Sequence, residues 1–253
     1  MTTAEETVKR TIAALAAFSA LFVFIGCAFA NGEGEYATTW VRGSGIVTTE
    51  NRTVASFTGI DVEGSGDVEL SQGLVQSVSV QCDDNLQPYV KTDVIGQVIH
   101  LGFRSGTSIH GMTRLHFRIV VPQVDAVVIS GSGSVQVASG LKAESLSLSI
   151  HGSGSIDAQI EVAHLVTSIG GSGDIVVSGS AGDLAATING SGNMRARALQ
   201  SAEADIRVNG SGSASVSARD TIRITISGSG DVEYGGGARA TISATGSGTA
   251  RQR

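Results

Sequence analysis

The chain has 253 residues, of which 34 are glycine and two are proline; 41% are hydrophobic and the formal net charge is −6. This composition supports a buried core and excludes collagen, a Pro/Gly linker and a disordered chain. The negative balance argues against a nucleic-acid partner, which selects basic surfaces.

Residues 12–30 read IAALAAFSALFVFIGCAFA, carry no charge and follow Lys9 and Arg10. A basic flank, an apolar run and a small-residue end predict a signal peptide over residues 1–30. Ala28-Phe29-Ala30 fits the cleavage pattern and sets a mature start at Asn31. Two other fates stay open. Phe24-Ile25-Gly26-Cys27 reads as a lipobox, which would lipidate Cys27, and the run is long enough to remain as an anchor. All three export the remainder, so the expected location is extracytoplasmic: periplasm, cell envelope or cell surface. Membrane association would come through Cys27 lipidation or the uncleaved anchor. Cys82 then has no intramolecular partner and reads as a small buried hydrophobe.

Residues 31–56, rich in Thr, Gly and charge, read as a leader plus an edge strand. From residue 57 to 250 one pattern dominates. Gly-Ser-Gly recurs at Gly43, Gly64, Gly131, Gly152, Gly171, Gly190, Gly210, Gly228 and Gly246. From Gly131 the spacings are 21, 19, 19, 20, 18 and 18 residues, a period that predicts a solenoid. Two residues before the tripeptide stand Ile129, Ile150, Ile169, Ile188, Val208, Ile226 and Ala244. Four after its first glycine stand Val135, Ile156, Ile175, Met194, Ala214, Val232 and Ala250. The apolar step is two on both sides, the period of a strand. Ser149, Asn189, Asn209, Gln136, Arg195 and Glu233 occupy the intervening sites and are expected to face water.

Each repeat therefore reads as strand, Gly-Ser-Gly corner, strand, with glycine supplying φ > 0. Stacked coils would rise about 4.8 Å each. The serines from Ser132 to Ser247 would line one edge, their hydroxyls satisfying corner backbone groups. The stretch 57–121 reads as a less regular start that covers the N-terminal end, and 122–250 as the regular coils. In Leu115, Phe117 and Ile119 one face is apolar; Arg114, His116 and Arg118 take the other. Asn85-Leu86-Gln87-Pro88-Tyr89-Val90 reads as a turn or helical insert. At the C-terminal end Arg251-Gln252-Arg253 places charge on the last coil.

Phe57-Thr58-Gly59-Ile60-Asp61-Val62-Glu63-Gly64-Ser65-Gly66-Asp67-Val68 resembles the opening of the bacterial DUF2807 family, the putative auto-transporter adhesin, head GIN domain. The insert Asn85–Val90 and Pro122 resemble two further features of that family, so the likeness runs from about 57 to 250. It implies an all-β fold, a single-stranded right-handed parallel β-helix (β-solenoid) with about 19-residue coils, in exported or lipid-anchored envelope proteins. It brings no catalytic residues to carry over. The sequence has no heptad stalk and no barrel-sized segment after residue 250, so a self-anchoring autotransporter is not expected.

The chemistry readable from the sequence is sparse. Gly170-Gly171-Ser172-Gly173-Asp174 is close to a calcium roll, but its Asp comes one residue early and the period is twice too long. The column after each corner holds Asp67, Ser134, Ser155, Asp174, Asn193, Ser213, Asp231 and Thr249. Asp174 and Asp231 lie three coils apart, roughly 14 Å, too far for paired glycosidase carboxylates; such residues more often bond backbone amides. His100, His110, His116, His151 and His164 lack metal-ligand spacing and read as surface or edge residues. No catalytic, cofactor-binding or metal-binding residue is expected. The expected function is a non-enzymatic rod presenting rows of side chains to an envelope protein or glycan. A polysaccharide-active enzyme on the same fold and an envelope-stress accessory are the alternatives.

Overall fold

The computed structural model describes residues 39–138 and 140–253, so the expectations for residues 1–30, for Cys27 and for the leader up to residue 38 lie outside the described residues. In chain order, among the described residues, the strands are β1 (Thr39–Arg42), β2 (Val47–Arg52), β3 (Gly59–Gly64), β4 (Asp67–Gln72), β5 (Ser77–Asp83), β6 (Val90–Ile95), β7 (Val98–Phe103), β8 (Thr107–His110), β9 (Leu115–Val121), β10 (Ala126–Gly131), β11 (Ser134–Val137), β12 (Leu141–Ile150), β13 (Ser155–Ile169), β14 (Asp174–Gly190), β15 (Asn193–Gly210), β16 (Ser213–Gly228), β17 (Asp231–Gly235), β18 (Arg239–Gly246) and β19 (Thr249–Gln252). One 3₁₀ helix, Asp84–Tyr89, falls where the insert was expected. Seventeen strands form one continuous sheet wound into a β-solenoid of about seven turns; β1 and β8 form a separate parallel ribbon.

The regular coils follow from the apolar columns. Ile150, Ile169, Ile188, Val208 and Ile226 lie in register, coil on coil, and all are buried. Ile156, Ile175, Met194, Ala214 and Val232 form a second buried column. Between corners the backbone does not break into two strands as expected. β13 to β16 are single strands of 15 to 18 residues with a bend inside each. In β13 the inward residues run Ile156, Ala158, Ile160, Val162, then Leu165, Thr167, Ile169. The step of three between Val162 and Leu165 turns the chain while keeping apolar residues inside. β14 does the same between Ala181 and Leu184.

The corners are dictated by close approach as much as by φ. A Cβ on Gly212 would lie 2.4 Å from the Gly192 carbonyl oxygen and 2.6 Å from Ile188 Cγ2 of the coil below. Gly210, with φ +132°, also sits in the left-handed region that favours glycine. The corner serines differ from expectation. It is their amides that bond along the stack, Ser191 N to Gly171 O and Ser211 N to Gly190 O, each at 2.9 Å. Their side chains are exposed. Ser149, expected to face water, is buried: it is a small side chain in register between Val128 and Ser168.

At the N-terminal end chain order and stacking order part company. Gly131 lies directly on Gly64, so the coil of β10 and β11 stacks on β3 and β4. The residues between them leave the stack and return beneath: β7 pairs with β3 and β9 with β4, both parallel. The end is then closed by reversed strands, β6 on β7, β5 on β9 and β2 on β5, all antiparallel. The 3₁₀ helix joining β5 to β6 buries Leu86 and Gln87. Cys82, reduced and buried, has its thiol pushed up to about 11 by that burial. The Gly43-Ser44-Gly45 copy is not a coil corner. It links β1 to β2, with Ser44 Oγ donating to Asp84 at 2.5 Å and Gly45 N donating to Asp83 at 2.7 Å.

The opposite end is different. β18 and β19 form its last coil, and their inward positions are uncovered: Ile242 is 44% exposed, whereas Ile224 one coil below is buried. From Phe57 to Ala238 the described residues bury a continuous core of their own.

Candidate functional site

Outward side chains inherit the register of the core. On the face of β15, β16 and β17 the rows Asn193–Ser213–Asp231 and Arg195–Ser215–Glu233 run along the rod. Ser213 and Ser215 are short, and the coils on either side carry longer residues. The result is an open groove of about 500 Å³ with serine on its floor, Arg195 and Arg197 on one bank and Asp231 and Glu233 on the other. Arg197 lies where the β15–β16 register slips between Ala196 and Ser201. A bulge re-aims a side chain in this way. Its guanidinium reaches Glu233 at 2.5 Å, two coils away, and Arg253 reaches the same carboxylate at 2.8 Å.

The column after the corners is mainly a side-chain ladder, with a backbone amide donating only to Asp231. Ser134 Oγ donates to Asp67 at 2.6 Å, Asn193 Nδ2 to Asp174 at 2.9 Å and Ser213 Oγ to Asn193 Oδ1 at 2.7 Å. Thr249 donates to Asp231 through both its hydroxyl, at 2.6 Å, and its amide, at 3.1 Å. Those bonds hold the Asp231 carboxyl below its ordinary value. Asp231 and Glu233 share one face two residues apart, about 6.6 Å along the strand, a separation that glycosidase pairs use. The acid of such a pair needs a raised pKa. Asp231 is shifted the other way, and Glu233 is engaged by two guanidinium groups.

The histidines divide. His151 is exposed, and His164 pairs with Asp183 at 2.6 Å on the surface. His116 is half-buried, and burial, with Arg114 beside it, lowers its pKa. His110 stacks on Trp40, centroids 4.9 Å apart and planes 6° from parallel. His100 departs from the surface reading. It is buried, with Nδ1 3.0 Å from Glu63 and 3.3 Å from Asp61. Their ligand-type atoms lie within 4.8 Å of one another. Lys91 Nζ already contacts both Glu63 oxygens, at 2.9 and 3.0 Å, and Ser130 Oγ donates to Asp61 at 3.0 Å. Burial raises the Asp61 pKa against those bonds. The group is thus a hydrogen-bonded network to which Lys91 contributes a fixed positive charge.

Alternation in Ile60-Asp61-Val62-Glu63 and in Ile99-His100-Leu101 puts these polar groups on one face each. Only the β3–β7 register, set by the inverted stacking order, brings the two together. Sequence reading likewise missed Arg197, because a register slip leaves no mark in the apolar pattern.

Solved structures share this architecture. One described as a putative adhesin from Bacteroides fragilis NCTC 9343 superposes with a TM-score of 0.80 at 21% identity, covering 84% of this chain and all of that one. A putative lipid binding protein from Parabacteroides distasonis ATCC 8503 gives 0.74 at 24% identity, covering 85% of this chain and all of that one. A putative adhesin from the same organism gives 0.72 at 25% identity with the same coverage. No curated protein matches the chain. Residues 56–238 match the family described as putative auto-transporter adhesin, head GIN domain, and with most of its length inside that match the chain belongs to the DUF2807 family.

Proposed function

We propose that this protein is an exported, non-enzymatic β-solenoid that displays fixed rows of polar side chains as a binding surface in the cell envelope. The observation that carries the reading is the groove over Ser213 and Ser215. Its guanidinium, carboxylate and hydroxyl groups are spaced by the coil rise and held by their own ion pairs. Such a strip offers hydrogen bonds of both polarities to a hydroxyl-rich glycan or a polar protein segment. The adhesin naming of the family and of the structural neighbours accords with this reading. The test is capture from native envelope extracts. Arg195→Glu, on an exposed bank, is expected to lower retention of envelope glycan or protein at least tenfold without changing the far-UV spectrum. Equal retention by both proteins would remove the groove from the binding surface.

A polysaccharide-active enzyme is the second reading, favoured only by the Asp231–Glu233 spacing. Their engagement by Thr249, Arg197 and Arg253 weighs against a proton donor there. Release of reducing ends from a broad polysaccharide panel, lost in Glu233→Gln, would establish it instead.

A further inference from the structure

We propose that the N-terminal end of the rod docks on a lipid bilayer, seating a rim of exposed apolar side chains at the boundary between headgroups and acyl chains. Among the described residues, six of the seven exposed large hydrophobic side chains belong to the elements of this end: Trp40, Ile46, Val47, Leu74, Val75 and Ile95. None lies on the regular coils between β10 and β17; the seventh, Ile242, is on the last coil. Leu74, 97% exposed, is in the β4–β5 turn, where Gln76 bonds Phe57 N and Ala55 O. Ile95 ends β6 beside the β6–β7 turn, where Gln97 O accepts from Thr58 and Gly59 amides. The two tips thus flank one short chain segment. At the ribbon of β1 and β8, Trp40 is 70% exposed with its ring braced on His110. A flat amphipathic ring on a wet edge suits the membrane interface.

The chain itself points to a bilayer as the occupant. The uncharged run 12–30 ends eight residues before β1, and β1 belongs to this end of the rod. Eight extended residues reach no more than roughly 28 Å, and the eleven between Cys27 and β1 no more than roughly 40 Å. A lipidated Cys27 or a retained anchor would tether the chain to the membrane through β1, which belongs to this end. Residues 39–97 carry eight carboxylates against three cations. Docking therefore rests on apolar burial and favours neutral over anionic lipid. In this orientation the groove coil stands roughly 30 Å further out, six rises above β9.

The inference deepens the envelope reading and rests on it. Trp40 is the only tryptophan in the chain, so its emission reports the rim directly. The chain from Asn31 to Arg253 is mixed with phosphatidylcholine vesicles. The expected result is a blue shift of Trp40 emission and co-sedimentation with lipid. Leu74→Asp with Val75→Asp is expected to lower the bound fraction at least tenfold with an unchanged far-UV spectrum, and Ile242→Asp to leave it unchanged. Unshifted emission with the protein left in the supernatant overturns the proposal. So does a rim-dependent dimer in light scattering without vesicle binding, which would assign the rim to a second copy. Cell fractionation of the full chain tests export separately. An exported protein that ignores vesicles sinks only the docking surface, and a cytoplasmic one sinks the envelope reading as well.

Discussion

The tightest constraints sit on single residues. Gly212 has a backbone oxygen and a branched side chain inside the space a Cβ needs. Gly212→Ala is expected to cost about 3 kcal/mol through overpacking that neither neighbour can relieve, measured as a fall in the urea midpoint. Asp83 shows another kind of constraint. It is fully buried and accepts Gly45 N at 2.7 Å and the Thr113 amide and hydroxyl at 2.8 Å each. Burial pushes its carboxyl up, but those donors outweigh burial and hold it below the ordinary value. A lowered folded pKa contributes stability that is present above the unfolded value of about 3.9 and lost as pH falls through the folded one. Asp83→Asn is therefore expected to destabilise by about 2–3 kcal/mol at pH 7. The gap to wild type should begin to narrow below about pH 3.9 and close only as pH falls through the lower folded value, so denaturant melts at pH 3 should show a smaller gap than at pH 7.

Between elements, the same side chain has different weight according to its place in the stack. Ile188 is covered by coils above and below, while Ile242 has a coil on one side only. Ile188→Ala is expected to cost about 3–4 kcal/mol from transfer and cavity together. Ile242→Ala should cost less than about 1 kcal/mol. Similar losses from both in chemical denaturation would mean that the last coil is covered in solution. The N-terminal end manages its edge with reversed strands and a 3₁₀ helix, so β2 and β6 are the outer pairings there rather than a bare coil. That arrangement leaves Leu74 and Val75 in the β4–β5 turn, and Ile95 at the end of β6, exposed.

For the molecule as a whole, nearest-neighbour stacking makes the rod modular. Deleting residues 171–189 joins Gly170 to Gly190 and sets Gly190 where Gly171 lay, on Gly152. The shortened protein is expected to fold with the same far-UV spectrum and to be about 4.8 Å shorter, as small-angle scattering would measure. Deleting half that length would put a mid-coil residue at the corner and is expected to prevent folding. The outward rows, the groove and the two unlike ends all follow from this one-dimensional construction.

The sequence by itself determined the coil, because a period near 19 with apolar residues two apart has one way to bury them: strand on strand, with glycine where coils pass closest. It determined the buried columns and the corners from Gly131 onward, and it placed a turn or helical insert at Asn85–Val90, where the 3₁₀ helix Asp84–Tyr89 lies. It did not determine that residues 98–121 stack beneath residues 59–72, since an excursion of alternating strands between coils looks alike whether it returns above or below. Only the tertiary structure decided that inversion, and with it the meeting of His100 with Asp61 and Glu63. It also decided the groove, because the depth at Ser213 and Ser215 depends on which long side chains the neighbouring coils bring alongside and on a register slip at Arg197. A repeat fixes what must be inside; what meets on the outside is set by register across chain segments far apart in sequence.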